Sequence, residues 1–216
     1  MTVNRLFCLG FMVMFLWVGA LAQEVLVTER GDSILLHSDG TWEYFNSSMK
    51  EIQPIQIGTN SHVFTKPKSS KDKVNGKDGA YELWYNNKNW KRVPSGELSP
   101  DADLAFKLNR GDVYGMIIYE ELEIELESLT EIALENARSA APDIQLIEKE
   151  YREVNGNRII CMKMKGSMQG IKVVYYSYFF SNINGSIQFH TFTGQGVLSK
   201  YTNDIEDLLN GLIVKG

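Results

Sequence analysis

The chain has 216 residues, 44% of them apolar and 23% charged, with 22 Lys and Arg against 27 Asp and Glu, a net charge of −5 and 2 Cys. This length supports a full hydrophobic core in one or two ordinary domains. The acidic balance argues against a general nucleic-acid binder, which needs a Lys/Arg surplus on some face, and two thiols make neither a disulfide scaffold nor a four-thiolate zinc site.

Arg5, the uncharged run Leu6 to Ala22 and then Gln23-Glu24 have the three-part layout of a secretory signal peptide, with Ala20-Leu21-Ala22 supplying the small residues before a cut between Ala22 and Gln23. A retained anchor is the alternative, but the run holds 17 residues, fewer than the ~20 a spanning helix needs. Cleavage would leave 194 residues, a net charge of −6 and a single thiol, Cys161. The expected location is therefore secreted or periplasmic, with membrane contact only through the transient leader. No nucleotide motif accompanies it, and no cofactor is expected.

Residues 25–45 read as three short β-runs separated by Arg30-Gly31-Asp32 and Ser38-Asp39-Gly40, a small meander within a module spanning 23–57. Residues 58–79 are expected to form a linker. Residues 66–79 carry five Lys, two Asp, two Ser and two Gly, with Val74 as the one strongly apolar side chain, too little to offset chain ordering. The main domain is expected over 80–216. Tyr81 to Tyr85 and Trp90 to Val93 flank the polar turn Asn86 to Asn89 as a hairpin, and Ala102 to Leu108 with Val113 to Glu120 form a second.

Glu121, Glu123, Glu125 and Glu127 alternate with Leu122, Ile124 and Leu126, and period two would place four carboxylates on one strand face. Ser128-Leu129-Thr130-Glu131 then has capping-box spacing, opening a helix whose stripe runs through Leu129, Ile132, Ala133, Ala137 and Ala140 to Pro142. Three more β-runs follow, joined at Asn155-Gly156-Asn157, at Gly166 to Gly170 and at Asn182 to Gly185. Among them IKVVYYSYFF is apolar on both alternating faces, as in a strand covered on both sides. Tyr201, Ile205, Leu208, Leu209 and Leu212 mark one stripe of a C-terminal helix. The architecture implied is α+β: an antiparallel sheet of about six or seven strands covered by two helices and preceded by the meander.

Residues 80–213 resemble the PsbP-like fold family, which includes the photosystem accessory protein PsbP and the Ran-binding Mog proteins. The resemblance rests on element order together with VYGMIIYE at 113–120, Val154-Asn155-Gly156, GIKVVYYSYFF at 170–180, QFHTFT at 188–193 and the closing helix with Asp204-Ile205 and Leu209-Asn210-Gly211-Leu212. It implies an accessory or binding role. LLHSDGTWEY at 35–44 is similar to short β-meander modules appended to many exported bacterial proteins.

Chemistry-bearing residues are sparse. His37, His62 and His190 have no metal-ligand spacing. Cys161 and His190 could in principle form a thiolate and base, but the apolar setting Ile159-Ile160-Cys161-Met162 favours an inert, buried thiol. The lone Gly194-Gln195-Gly196 reads as a strand-to-helix turn. The densest feature is acidic: residues 120–153 hold eleven Asp and Glu against Arg138, Lys149 and Arg152, and Glu121, Glu123, Glu125 and Glu127 are the candidate face for a basic partner or a hard cation. Tyr175, Tyr176, Tyr178, Phe179 and Phe180 could line an apolar pocket. The leading expectation is an exported, non-catalytic accessory protein that binds a protein or envelope partner and no nucleic acid. A carrier of a small apolar ligand on the aromatic sheet face is the alternative, and a weak hydrolase-type enzyme the third reading.

Overall fold

A computed structural model describes residues 57–215, together with three short strands nearer the N-terminus. The expected leader, with Ala22 and Gln23, lies outside the described residues. The chain divides into two units, Met1–Pro54 and Ile55–Gly216. In the first, β1 (Glu24–Val27), β2 (Ser33–Leu36) and β3 (Trp42–Tyr44) pair antiparallel in chain order, which is the expected meander.

The second unit is α+β and is built on an eight-stranded mixed sheet. Its strands in chain order are β4 (Gly58–Phe64), β7 (Trp90–Val93), β8 (Leu104–Leu108), β9 (Val113–Glu120), β10 (Gln145–Val154), β11 (Asn157–Met168), β12 (Ile171–Asn182) and β13 (Gly185–Gly194). Their spatial order is β4-β10-β11-β12-β13-β9-β8-β7, and every pair is antiparallel except β4 with β10. A three-stranded sheet, β14-β6-β5, joins Leu212–Val214, Tyr81–Tyr85 and Asp72–Asn75. Helix α1 (Leu126–Ala140) lies on one face of the large sheet and α2 (Leu198–Leu209) on the other.

Tight turns organise the central strands. Asn155-Gly156 and Gln169-Gly170 all have positive φ, which two-residue type I′ hairpins require and which Asn and Gly adopt at least cost. Alternation along β12 then separates two cores. Tyr176, Tyr178 and Phe180 face α2, where Ile205, Leu208 and Leu209 pack with Tyr81 and Leu83 of the small sheet. Phe179 faces α1, packing with Leu129, Ala133, Ile160 and Met162. Both faces of β12 are covered, as its uninterrupted apolar run requires.

Four sequence expectations are corrected. Residues 58–79 are not a linker through their length: β4 joins the large sheet and β5 the small one, with Ser70 buried at 1% exposure. Backbone pairing supplies what the polar side chains do not, and Lys66 and Lys73 lay their ammonium groups 4.6 and 5.4 Å from the centre of the Trp84 ring. The sheet holds eight strands and is mixed, where six or seven antiparallel strands were expected. Tyr81–Tyr85 and Trp90–Val93 do not pair as a hairpin but part into different sheets. Asn109 holds the turn between them from outside, its amide donating to the Asn87 and Lys88 carbonyls. Finally, α2 stops at Leu209 and Leu212 begins β14. Among the described residues no helix is long and apolar enough to cross a membrane.

Candidate functional site

The four candidate acidic residues do not share a strand face. Strand β9 ends at Glu120 and α1 begins at Leu126, so Glu121, Glu123 and Glu125 lie in the connection and Glu127 in the first helical turn. The period-two pattern competes there with a helix start, and the helix prevails two residues before the expected Ser128 cap. Glu125 is the N-cap, accepting from the Ser128 N–H and hydroxyl at 2.8 Å each. Glu127 accepts from the Tyr151 hydroxyl. Glu121 meets Lys77 at 3.1 Å, with both side chains more than half exposed, a pair that contributes little. Glu123 is exposed. Glu125 and Glu127 are engaged by neighbouring groups of the fold, Glu121 and Glu123 face solvent, and the four are not aligned on one strand face.

The strongest electrostatic feature is on the α2 side of β10. Glu148, Glu150 and Arg152 share a face by strand periodicity, opposite Lys163, Cys161 and Ile159 of β11. The Arg152 side chain is 4% exposed. It donates to Glu150 at 2.5 Å, to the Tyr176 and Tyr178 hydroxyls at 2.7 and 3.1 Å, and to Glu148 at 3.4 Å. The Phe64 ring of β4 lies 4.6 Å from its guanidinium, and Lys163 meets Glu148 at 3.0 Å. Burial alone would raise the Glu150 carboxyl, but the Asn60 amide and Arg152 outweigh it and hold it low. Glu148, Glu150 and Cys161 have ligating atoms within 4.8 Å of one another. A metal ion there would have to displace Arg152 and Lys163 from the carboxylates, and burial pushes the Cys161 thiol up to about 12, far from the thiolate a metal needs. The donor set fits an internal ion network, not a metal centre.

Cys161 and His190 do not converge. Cys161 packs in the core on the α2 face, whereas His190 pairs with Ser177 of β12, whose side chain points to the α1 face together with Phe179. The sheet stands between them. Burial also lowers His190 to about 4, so the ring is neutral near pH 7. A thiolate–imidazole pair is thereby removed on both geometric and electrostatic grounds.

On the α1 face the sheet and helix leave an open cleft of about 270 Å³, just below the ~300–1,000 Å³ typical of ligand sites. Ala133, Ala137 and Ala140 form its roof, with Ala141 and Ile144 just beyond the helix. Met116 and Ile118 of β9, Met164 and Met168 of β11, and Tyr175 and His190 form its floor. Asp101, Glu120, Asn136 and Gln188 supply its polar lining. Of the five aromatic residues expected to line a pocket only Tyr175 does so. Tyr176, Tyr178 and Phe180 fill the opposite core, and Phe179 packs beneath α1. Alanines spaced along α1 and methionines from two strands signal the cleft, but they meet only once the sheet order is known.

No protein-family model matches the chain, and no curated protein matches it in sequence. The fold does match solved structures. Cyanobacterial PsbP from Synechocystis superposes with a TM-score of 0.53 at 17% identity, over 69% of this chain and 95% of that one. LpqN of Mycobacterium tuberculosis, described as involved in cell envelope biogenesis, gives 0.50 at 10% identity over 67% and 90%. The Ran-binding protein Mog1p of Saccharomyces cerevisiae gives 0.45 at 7% identity over 66% and 94%. The chain has a PsbP-like fold.

Proposed function

We propose that this chain is an exported, non-catalytic accessory protein whose PsbP-like domain binds a protein or envelope partner. The observation that carries the reading is the disposition of its reactive side chains: Cys161 is a protonated core thiol, His190 is a neutral ring across the sheet from it, and the buried cation Arg152 is spent on internal carboxylates and phenols. A domain of this kind offers surface and rigidity in place of a reaction centre. The leader-like first 22 residues support action beyond the cytoplasm. Two proteins of similar fold, a cyanobacterial PsbP and an LpqN described as involved in cell envelope biogenesis, are compatible with an accessory role.

Photo-crosslinking in living cells tests this, with the reactive group placed at Ile132 or Ile147, both about half exposed. One dominant adduct to a protein or envelope component is expected, and the recovered chain should begin at Gln23. Ester or amide hydrolysis by the purified chain that disappears in Cys161→Ala or His190→Gln would overturn the reading.

A further inference from the structure

The cleft beneath α1 carries two hydrogen-bond donors that the fold leaves under-used. His190 is nine-tenths buried, at 9% exposure. Its Nδ1 lies 2.9 Å from the Ser177 hydroxyl, and Nε2 has no partner among the described residues. Nδ1 is the one partner of that buried hydroxyl, and the arrangement in which Ser177 donates to it places the single ring proton of the neutral imidazole on Nε2. Phe179 packs edge-on against the ring at 5.6 Å and fixes its orientation. The second donor is the Tyr175 hydroxyl, whose one partner is the Met168 thioether at 3.8 Å, a weak acceptor. Tyr175 and Ser177 share a face of β12, and His190 is registered opposite Ser177, so the two donors are diagonal neighbours on adjacent strands.

We propose that this cleft binds a small neutral molecule with an apolar body and one accepting oxygen, such as a ketone or ester, which the His190 Nε2–H and Tyr175 O–H hold. The methionine and alanine walls provide apolar contact that adapts to shape, and the Nε2–H, which opens to the cleft without a protein partner, is free to donate to a ligand carbonyl. Asp101 and Glu120 in the lining oppose a carboxylate or phosphate headgroup, which selects a neutral ligand over a fatty-acid anion. This site is independent of the partner-binding role proposed above.

The test titrates the full chain with three probes, 2-acetylnaphthalene, naphthalene and 2-naphthoate, followed by NMR and calorimetry. The ketone should bind about fivefold more tightly than the hydrocarbon, the worth of roughly one net hydrogen bond, and the carboxylate most weakly. Tyr175→Phe, which removes only an oxygen, and His190→Leu should each narrow the gap between the ketone's affinity and the hydrocarbon's. Ala140→Leu, at an exposed position on the roof, should weaken both. Equal affinity for ketone and hydrocarbon, preserved ketone binding in both donor variants, or no binding of any probe at millimolar concentration would overturn the proposal.

Discussion

His190 and Arg152 illustrate two ways a titratable group is accommodated in this domain. Arg152 is buried as a charge and is surrounded by Glu150, Glu148 and two phenol oxygens. Such a network gains little over apolar packing while intact, but becomes costly when one partner is removed. His190 is instead buried neutral, its value lowered by desolvation to about 4 from 6.5. Between those values the unfolded chain binds a proton that the folded chain refuses. Stability contributed by His190 is therefore complete above pH 6.5 and lost as pH falls toward 4, amounting to ~3 kcal/mol. Urea denaturation across pH 4 to 7 should show this loss in the native chain, and His190→Gln, which keeps a polar partner for Ser177, should remove that part of it. An unchanged pH slope in the variant would refute the assignment.

At the scale of elements, the junction between α2 and β14 is set by one glycine. The Trp84 N–H donates to the Gly211 carbonyl at 2.9 Å, and a Cβ on Gly211 would sit 1.8 Å from the Trp84 oxygen. Gly211→Ala must push β6 and β14 apart, at a cost of roughly 3 kcal/mol. Gly196→Ala, where nothing lies within 4 Å, should be nearly neutral. Thermal melts of the two variants check this, and equal effects would contradict it. The element pattern also explains which features the sequence made legible. The hairpins joining β10 through β13 are announced by their turns, because Asn-Gly chemistry is local. The start of α1 was obscured because Glu121 to Glu127 fit two periods, and only tertiary context selects Glu125 as the cap. The end of α2 was obscured for the same reason: Leu212 continues the helical stripe, but the fit against Trp84 turns the chain into a strand.

At the scale of the whole molecule, the lysine-rich segment is where sequence and structure diverge most. Low apolar content argued for a linker, but the segment contributes an edge strand to the eight-stranded sheet and another to the β14-β6-β5 sheet, satisfied through main-chain pairing and through lysine ammonium groups laid over Trp84. Limited trypsin digestion separates the two descriptions. The Lys73–Val74 bond lies inside β5, and its cleavage should become fast only at urea concentrations that unfold the domain; rapid cutting under native conditions would return the segment to linker status. The cleft under α1 was illegible for a global reason. Its residues come from β9, α1, β11, β12 and β13, and no local window contains more than a fragment of it.

The pairing of β4 with β10, and of β6 with β14, has a consequence for how the molecule comes into being. Residues 58–64 find their partner at 145–154, and residues 81–85 theirs at 212–214. Asn155 fastens the two closures to each other, donating to the Asn210 and Leu212 carbonyls while its side-chain oxygen receives the Lys66 N–H. The early part of the domain thus has no complete set of neighbours until the last strand has been delivered. Contacts this distant along the chain favour slow closure, and a polypeptide emerging from the ribosome would stay open until residues 212–214 arrive.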